Sequence, residues 1–562
     1  SRPAAFKRAW CAWLAGDAAE AAKRFEALVA ADGAADPVAE ESLAMVAVAR
    51  HAAGDADAAL AAADRYRATH PKGAHLGKTE RVASRVLKAK GDLRAAGERL
   101  AAAAGAGGAS EADVAADRLT SAEIAYRQGD FRRAQSLYRE AAERRDAVGA
   151  QACEGLAWCA FELGDDGDCE ACVDAGLRHP AGESVAPSLR ELLVSLRHRQ
   201  GRFDDAAKAA RDYLKRHATH ARAAEVRLML GTAQARADRP KDALRTLHEL
   251  GRGEGLSRPD LLHYERAWAA RKAGDEPSAL ADFAEVARLS KDDDLAGEAR
   301  LHLGEAAAAA KETDEARAWF AQVKGRHAAR AAYRDAFLRL EGGDVRGAAE
   351  VFERLATSSD PALSADAAFL AGDCRLRLSE WDAAARRLAR FREAAPDHPN
   401  VATALRLQGR AELEAGRPAR AIGPLEEFLR RDDGKAPSDA ARAWLWLGRA
   451  KGETKDAAGA EAAYAKATTL SDGELGAEAQ FRLGASRRDR GDLDGACDAW
   501  LKLAILYAHP EWASRGLLEA AKTYETQGRK DKAKTLYAEA AERFGATPAG
   551  EAARRRRAAL GE

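Results

Sequence analysis

A series of alanines restricts what this chain can fold into more than any other feature. Ala21, Ala59, Ala96, Ala134, Ala206, Ala243, Ala279, Ala316, Ala348, Ala384, Ala421, Ala460, Ala496 and Ala533 recur along it, with Cys169 standing where one further Ala would complete the series. Five residues ahead of each lies a Gly or, in four units, Asp238, Lys311, Ser379 or Lys455. Steps in this second series run from 35 to 39 residues, apart from one of 32 between Lys311 and Gly343. A residue able to take left-handed geometry, followed at fixed distance by a minimal side chain, is what two antiparallel helices need to turn tightly and cross closely. Seven residues before the turn the facing position is again mostly small, as at Ala122, Ala157, Gly231, Ala267, Gly304, Gly372, Gly409, Gly448, Gly484 and Ala521, with Ser84 and Val194 departing. Nine residues after the turn a large side chain is usual, for example Phe25, Tyr138, Phe283, Phe320, Phe352, Tyr464, Trp500 and Tyr537. Small at the crossing and large beyond it predicts interlocking, with the large group filling the gap between neighbouring units.

The segment Glu511–Pro548 shows one unit whole. Leu517, Leu518, Ala521 and Tyr524 share a helical face, as do Ala533, Leu536, Tyr537 and Ala540, around a turn at Gln527, Gly528 and Arg529. A lone pair of such helices leaves apolar surface uncovered, so the unit makes sense only in a stack. Units around Arg81–Ala103 and Lys311–His327 match least well. Ala103–Ser110, Gly251–Pro259 and Arg430–Pro437 read as loops. Thr547-Pro548 followed by Glu551 predicts a boxed start for a closing helix running to Leu560.

A small residue in the first helix, Gly or a polar residue at the turn, Ala in the second helix and an aromatic or aliphatic residue four positions later resemble the tetratricopeptide repeat. That repeat is usually about 34 residues long, so most units here carry two or three more. The resemblance implies an all-α fold, an α-solenoid coiled as a right-handed superhelix of about fifteen helix-turn-helix repeats with a C-terminal capping helix. Repeats over 1–310 and 311–546 would form one continuous solenoid, with a boundary near 311–343 and the cap over 547–562. The last units, HPEWASRGLLEAAKTYETQGRKDKAKTLYAEAAERF and then TPAGEAARRRRAAL, are similar to repeats of bacterial cell-envelope proteins. Two such groups are the Tol-Pal-associated coordinator of cell division and the outer-membrane assembly lipoproteins. Chaperone-binding members of the family in eukaryotes grip a terminal carboxylate with lysines and asparagines. Here the sole Asn, Asn400, follows a Pro in an inter-unit loop, which excludes that clamp.

Lys plus Arg and Asp plus Glu both number 89, so the basic surplus of a phosphate-binding surface is missing and no specific nucleic acid partner is expected. No apolar run reaches the roughly 18 residues of a membrane span. SRPAAFKRAW lacks a signal-like apolar block, while the missing initiator Met leaves room for a signal peptide or lipid anchor removed upstream of Ser1. Zinc-protease, nucleophile-elbow and dinucleotide motifs are absent, and Gly73 to Gly77 has the wrong spacing for a phosphate loop. No enzymatic activity, cofactor or metal is therefore expected. His70, His179, His398 and His509 each precede Pro and read as cationic helix ends with Pro as the stop. Cys153, Cys159, Cys169 and Cys172 share one unit. A zinc site or a bridge is the alternative to structural thiols there, but residues six apart on a helix point about 120° away from each other, which favours thiols. The run Arg554–Arg557 reads as the solvated face of the cap.

Surface is what remains. First helices of such a solenoid line its concave side, and counting from the turns places Trp158, Phe161, Arg199, Arg236, Tyr264, Trp268, Arg271, Tyr333 and Phe337 there. Aromatics interleaved with arginines suit a groove for protein or peptide partners. The expected role is a non-enzymatic scaffold in the periplasm or cell envelope of a bacterium, the cytoplasm being the alternative location. The alternative role is a regulatory or sensor module of a larger protein whose effector domain lies outside this chain.

Overall fold

All fifteen turn positions carry positive φ, from 58° at Asp238 and Ser379 to 89° at Gly491. They do so in a computed structural model that describes residues 2–29, 36–431 and 436–561. Among the described residues there are thirty-one α-helices and no strand, making fifteen antiparallel pairs and a closing helix. Asp238, Lys311, Ser379 and Lys455 are the only described non-glycine residues with positive φ. A Cβ built on Gly416 or Gly491 meets nothing within 4 Å. A side chain at the turn therefore costs only backbone strain, about 1–2 kcal/mol, which explains how four units do without Gly.

The residue after the turn starts the second helix. In nine units it is Asp, whose carboxylate accepts a hydrogen bond from the backbone N–H three residues on, as Asp55 does from Ala58 and Asp492 from Gly495. Arg takes that place at Arg202, Arg239, Arg417 and Arg529; Arg202 pairs locally with Asp205 at 2.7 Å, whereas the other three reach back to Asp204, Asp382 and Asp494 of the preceding pair. These three units exchange a cap within the pair for a link between pairs.

At the crossing, the alanine series and Cys169 are at most 1% exposed throughout. A Cβ on Gly231, Gly304, Gly372, Gly409, Gly448 or Gly484 would fall within 3.0 Å of Leu247, Phe320, Leu388, Leu425, Tyr464 or Trp500 respectively. Each of these large residues stands nine positions after the turn, so it lies over the small residue of its own pair. The gap it fills is first of all inside the pair, and not between units as the pattern suggested, because the glycine opens a hollow on the nearest helix. Tyr138 does span to Gly155 of the following pair. The two poorly matching units keep the register: Gly91 and Lys311 are left-handed, and Ala96 and Ala316 are fully buried. The step after Lys311 is short because its second helix covers only Thr313–Phe320 and is followed by a 3-10 turn at Gly325–His327.

The molecule divides into two compact units, residues 1–289 with eight pairs and residues 290–562 with seven pairs and the closing helix. In the first, Phe25, Met45, Tyr66 and Val82 from successive helices share one buried cluster. In the second, Leu388, Phe391, Leu405, Leu425 and Leu447 do the same. The closing helix Pro548–Ala559 packs Ala549 and Ala553 among Leu517, Tyr524 and Tyr537. Thr547 Oγ1 accepts from Gly550 N–H at 3.1 Å. Glu551 stands one residue too far to complete the expected box and pairs instead with Arg555 at 3.7 Å. Arg556 and Arg557 meet Glu525 and Glu542 at 3.3 and 3.6 Å.

The His-Pro pairs are less uniform than their sequence. His70 and His179 follow the last residues of their helices, and the His179 ring bonds the Arg144 carbonyl at 2.7 Å. His398 lies in a loop, 3.2 Å from Asp366. At His509 the Pro begins the next helix instead of stopping the last one. Of the loop Arg430–Pro437, residues 432–435 lie outside the described residues.

Two substitutions separate turn from crossing. Ser379→Gly removes left-handed strain and adds glycine's unfolded-state entropy, so it should raise stability by under about 1 kcal/mol. Gly409→Ala drives a methyl into Leu425 and should cost about 1–3 kcal/mol. Chemical denaturation measures both, and equal effects would contradict the assigned geometry.

Candidate docking surface

Helix Pro259–Ala273 holds Tyr264, Trp268 and Arg271 one turn apart on one face and ends at the left-handed Gly274. The Trp268 ring stands edge-on to Tyr264 at 6.3 Å and to the buried Phe283 at 5.7 Å. Arg271 covers Phe283 at 5.0 Å and Trp268 at 5.5 Å, and binds Glu276 at 2.7 Å. Arg236, at the end of the first helix of the preceding pair, is exposed and lies 3.8 Å from Glu265. Between the two helices opens a pocket of about 260 Å³, lined by Ala235, Arg236, Tyr264, Glu265, Trp268, Ala269 and Lys272.

Glu265 is the unusual member. Burial raises its carboxyl above the ordinary glutamate range, and Arg236 offsets this only in part. Elsewhere on the same helix, His263 and Arg266 form a buried network with Asp282 of the following helix. Asp282 meets the His263 ring at 2.7 Å and accepts from Arg266 at 2.6 and 2.7 Å. Burial works to raise the Asp282 pKa, but the hydrogen bonds from Arg266 and His263 outweigh it and hold the group ionised. The pocket thus has aromatic walls and one carboxyl whose charge is poorly supported.

The other expected groove residues are placed differently. Trp158 and Phe161 stand edge-on at 5.9 Å, with Arg199 3.9 Å above the Phe161 ring. Arg199 also donates to the Phe161 carbonyl and pairs with Asp166, while Trp158 donates to Ser188 Oγ at 3.2 Å. This trio spends its polar groups on its own framework. Tyr333 and Phe337 belong to the second compact unit and pack on the fully buried Phe352 at 5.6 and 5.7 Å. Of the nine residues, Arg236, Tyr264 and Trp268 share one pocket with Arg271 beside it. The remaining five stand elsewhere.

Glu265 and Lys272 escaped notice in the sequence, where only aromatics and arginines were weighed. A carboxylate set between Tyr264 and Trp268 was the available signal. A larger cleft of about 500 Å³ between helices Leu93–Gly105 and Glu111–Arg127 has no aromatic residue in its lining. The cysteines of the fifth pair are free thiols, with Cys153, Cys159 and Cys169 buried. Burial pushes Cys159 up to about 12 and Cys169 to about 11, which disfavours the thiolate that metal binding requires. Among the described residues no three His, Cys, Asp or Glu groups could hold a metal ion. Nor is any helix among them long and apolar enough to cross a membrane.

A run of helix pairs, each with a left-handed turn and an Ala or, once, a Cys at the crossing, defines an all-α repeat protein. The family model described as Tetratricopeptide repeat matches residues 119–168, 192–250, 264–335, 333–399, 375–436 and 406–474. These ranges take in more than half of the chain, which belongs to the tetratricopeptide-repeat family. Proteins of this family are generally non-catalytic scaffolds of protein–protein interaction. Among solved structures, the chain is similar to MamA at 26% identity, covering 30% of this chain and 92% of that one with a TM-score of 0.27. It is also similar to the APC/C hetero-tetramer Cut9-Hcn1 at 15% identity, covering 89% and 93% with a TM-score of 0.30. No curated protein matches the sequence.

A raised carboxyl pKa means that the folded state binds its proton more tightly than the unfolded chain does. Stability is therefore lost as pH rises from about 4.3 through the folded pKa of Glu265, and is level above it. Glu265→Gln should unfold at higher denaturant than the unmodified chain at neutral pH and show no advantage near pH 4. A variant weaker at neutral pH would show that the Arg236 pairing dominates.

Proposed function

We propose that this chain is a scaffold that docks protein partners on the first-helix faces of its pairs, with the pocket between the pairs turning at Asp238 and Gly274 as one anchor point. The observation carrying this reading is the convergence of Arg236, Tyr264 and Trp268 on the half-buried Glu265. Tyr, Trp and Arg are the residues that most often dominate binding energy at protein interfaces. A pocket of this size accepts one large side chain, with Tyr264 and Trp268 as walls and Arg236 and Lys272 as a polar rim. Residence in a bacterial cell envelope is part of the proposal and rests on the likeness of the last units to the repeats of envelope proteins.

Peptides selected by display against the full chain provide the test. Arg236→Glu, at an exposed position, should weaken the best ligands at least about tenfold, or ~1.4 kcal/mol. Trp268→Ala should weaken them further, at some cost in stability because Trp268 also packs on Phe283. Unchanged affinity in folded Arg236→Glu and Trp268→Ala proteins would count against the pocket, and recovery of the chain in the cytosolic fraction of its source cells would sink the envelope assignment.

A further inference from the structure

The first-helix face of the second compact unit carries positive charge that its own carboxylates leave unanswered. On helices Pro361–Arg377, Val401–Glu414 and Pro437–Glu453, Arg377 pairs with Asp373 at 2.8 Å, Arg406 with Asp439 at 3.3 Å and Arg449 with Glu414 at 3.2 Å. Arg410 and Arg442 have no carboxylate at ion-pair distance among the described residues. Arg410 is held instead between two indoles, 5.8 Å from the Trp381 ring and 5.7 Å from that of Trp446. Arg406, with a side chain only 13% exposed, feels both of its cationic neighbours. Burial lowers its pKa, Asp439 and more weakly Asp373 oppose the shift, and Arg442 and Arg410 add to it. Like charges gathered in a half-buried setting repel more strongly than in water, and an anion placed among them relieves that cost.

We propose that the first-helix face of the pairs turning at Ser379, Gly416 and Lys455 docks an acidic peptide segment, with Arg410 and Arg442 each taking one carboxylate. The two arginines stand on neighbouring first helices, whose axes in such packing lie about 8–10 Å apart, and Arg410 stands six residues before its turn while Arg442 stands thirteen before its own, an offset of roughly 10 Å along the helix. Carboxylates about four residues apart on an extended chain, at about 3.3 Å per residue, match that combined span, whereas a single small anion does not. The half-buried Trp381 sets an indole beside Arg410, the mixture of ring and charge that favours a peptide over a bare ion. This site lies in a different compact unit from the Trp268 pocket, so either can fail without the other.

A fluorescein-labelled oligoglutamate peptide, titrated with the full chain and followed by anisotropy, tests the assignment. Saturable binding that weakens with salt is expected, with a loss of at least about tenfold in Arg410→Gln combined with Arg442→Gln. Because Arg410 also packs between two indoles, Arg442→Gln alone is measured beside it and should weaken binding several-fold while leaving helical content unchanged. The proposal is overturned if the unmodified chain shows no saturable binding or if folded Arg442→Gln binds as well as the unmodified chain. It is equally overturned if inorganic phosphate or a single-stranded oligonucleotide displaces the peptide at equal charge concentration.

Discussion

Everything in this molecule depends on how closely the two helices of a pair approach. Ala at one side of the crossing and Gly or Ala at the other bring the backbones together, and the hollow this leaves is occupied by a large side chain nine residues past the turn. Leu425 over Gly409 and Trp500 over Gly484 are the same contact with different occupants. Burying one such side chain contributes roughly 1.5–3 kcal/mol, and the contact recurs from pair to pair. Stability in such an array is a sum of pair and neighbour terms, with no single deep core to carry it.

Turn chemistry is the second constraint, and the structure resolves it into two alternatives. Left-handed backbone is obligatory at the turn, but Gly is not, because the space around that position is open. The following Asp caps the second helix where it is present. At Arg239, Arg417 and Arg529 the pair is tied to its predecessor instead. Exposed ion pairs contribute at most about 1 kcal/mol each, so these links adjust how neighbours sit and do not hold the stack together.

What the fold leaves over carries the proposed docking surfaces. Tyr333 and Phe337 are consumed by Phe352, and Arg199 by Phe161 and Asp166, although on paper they resemble Trp268 and Arg236 closely. The difference lies in neighbours that are far off in sequence. A half-buried carboxyl with weak support and arginines without carboxylates are places where a bound group would improve on the free state.

The period, the turn positions, the buried alanine series and the all-helical repeat class were legible in the residues alone, because each depends on contacts within about forty residues and on side-chain size at fixed offsets. Even the poorly matching units at Gly91 and Lys311 obeyed that register. Tertiary structure decided which aromatics and arginines are spent internally and which line a pocket, and it revealed Glu265 and Arg410 as groups of interest. It also showed that Glu551 stands outside the cap it was expected to close. These outcomes turn on the contacts of individual side chains with adjacent pairs, and a repeating pattern, being the same in every unit, carries no information about what differs between them.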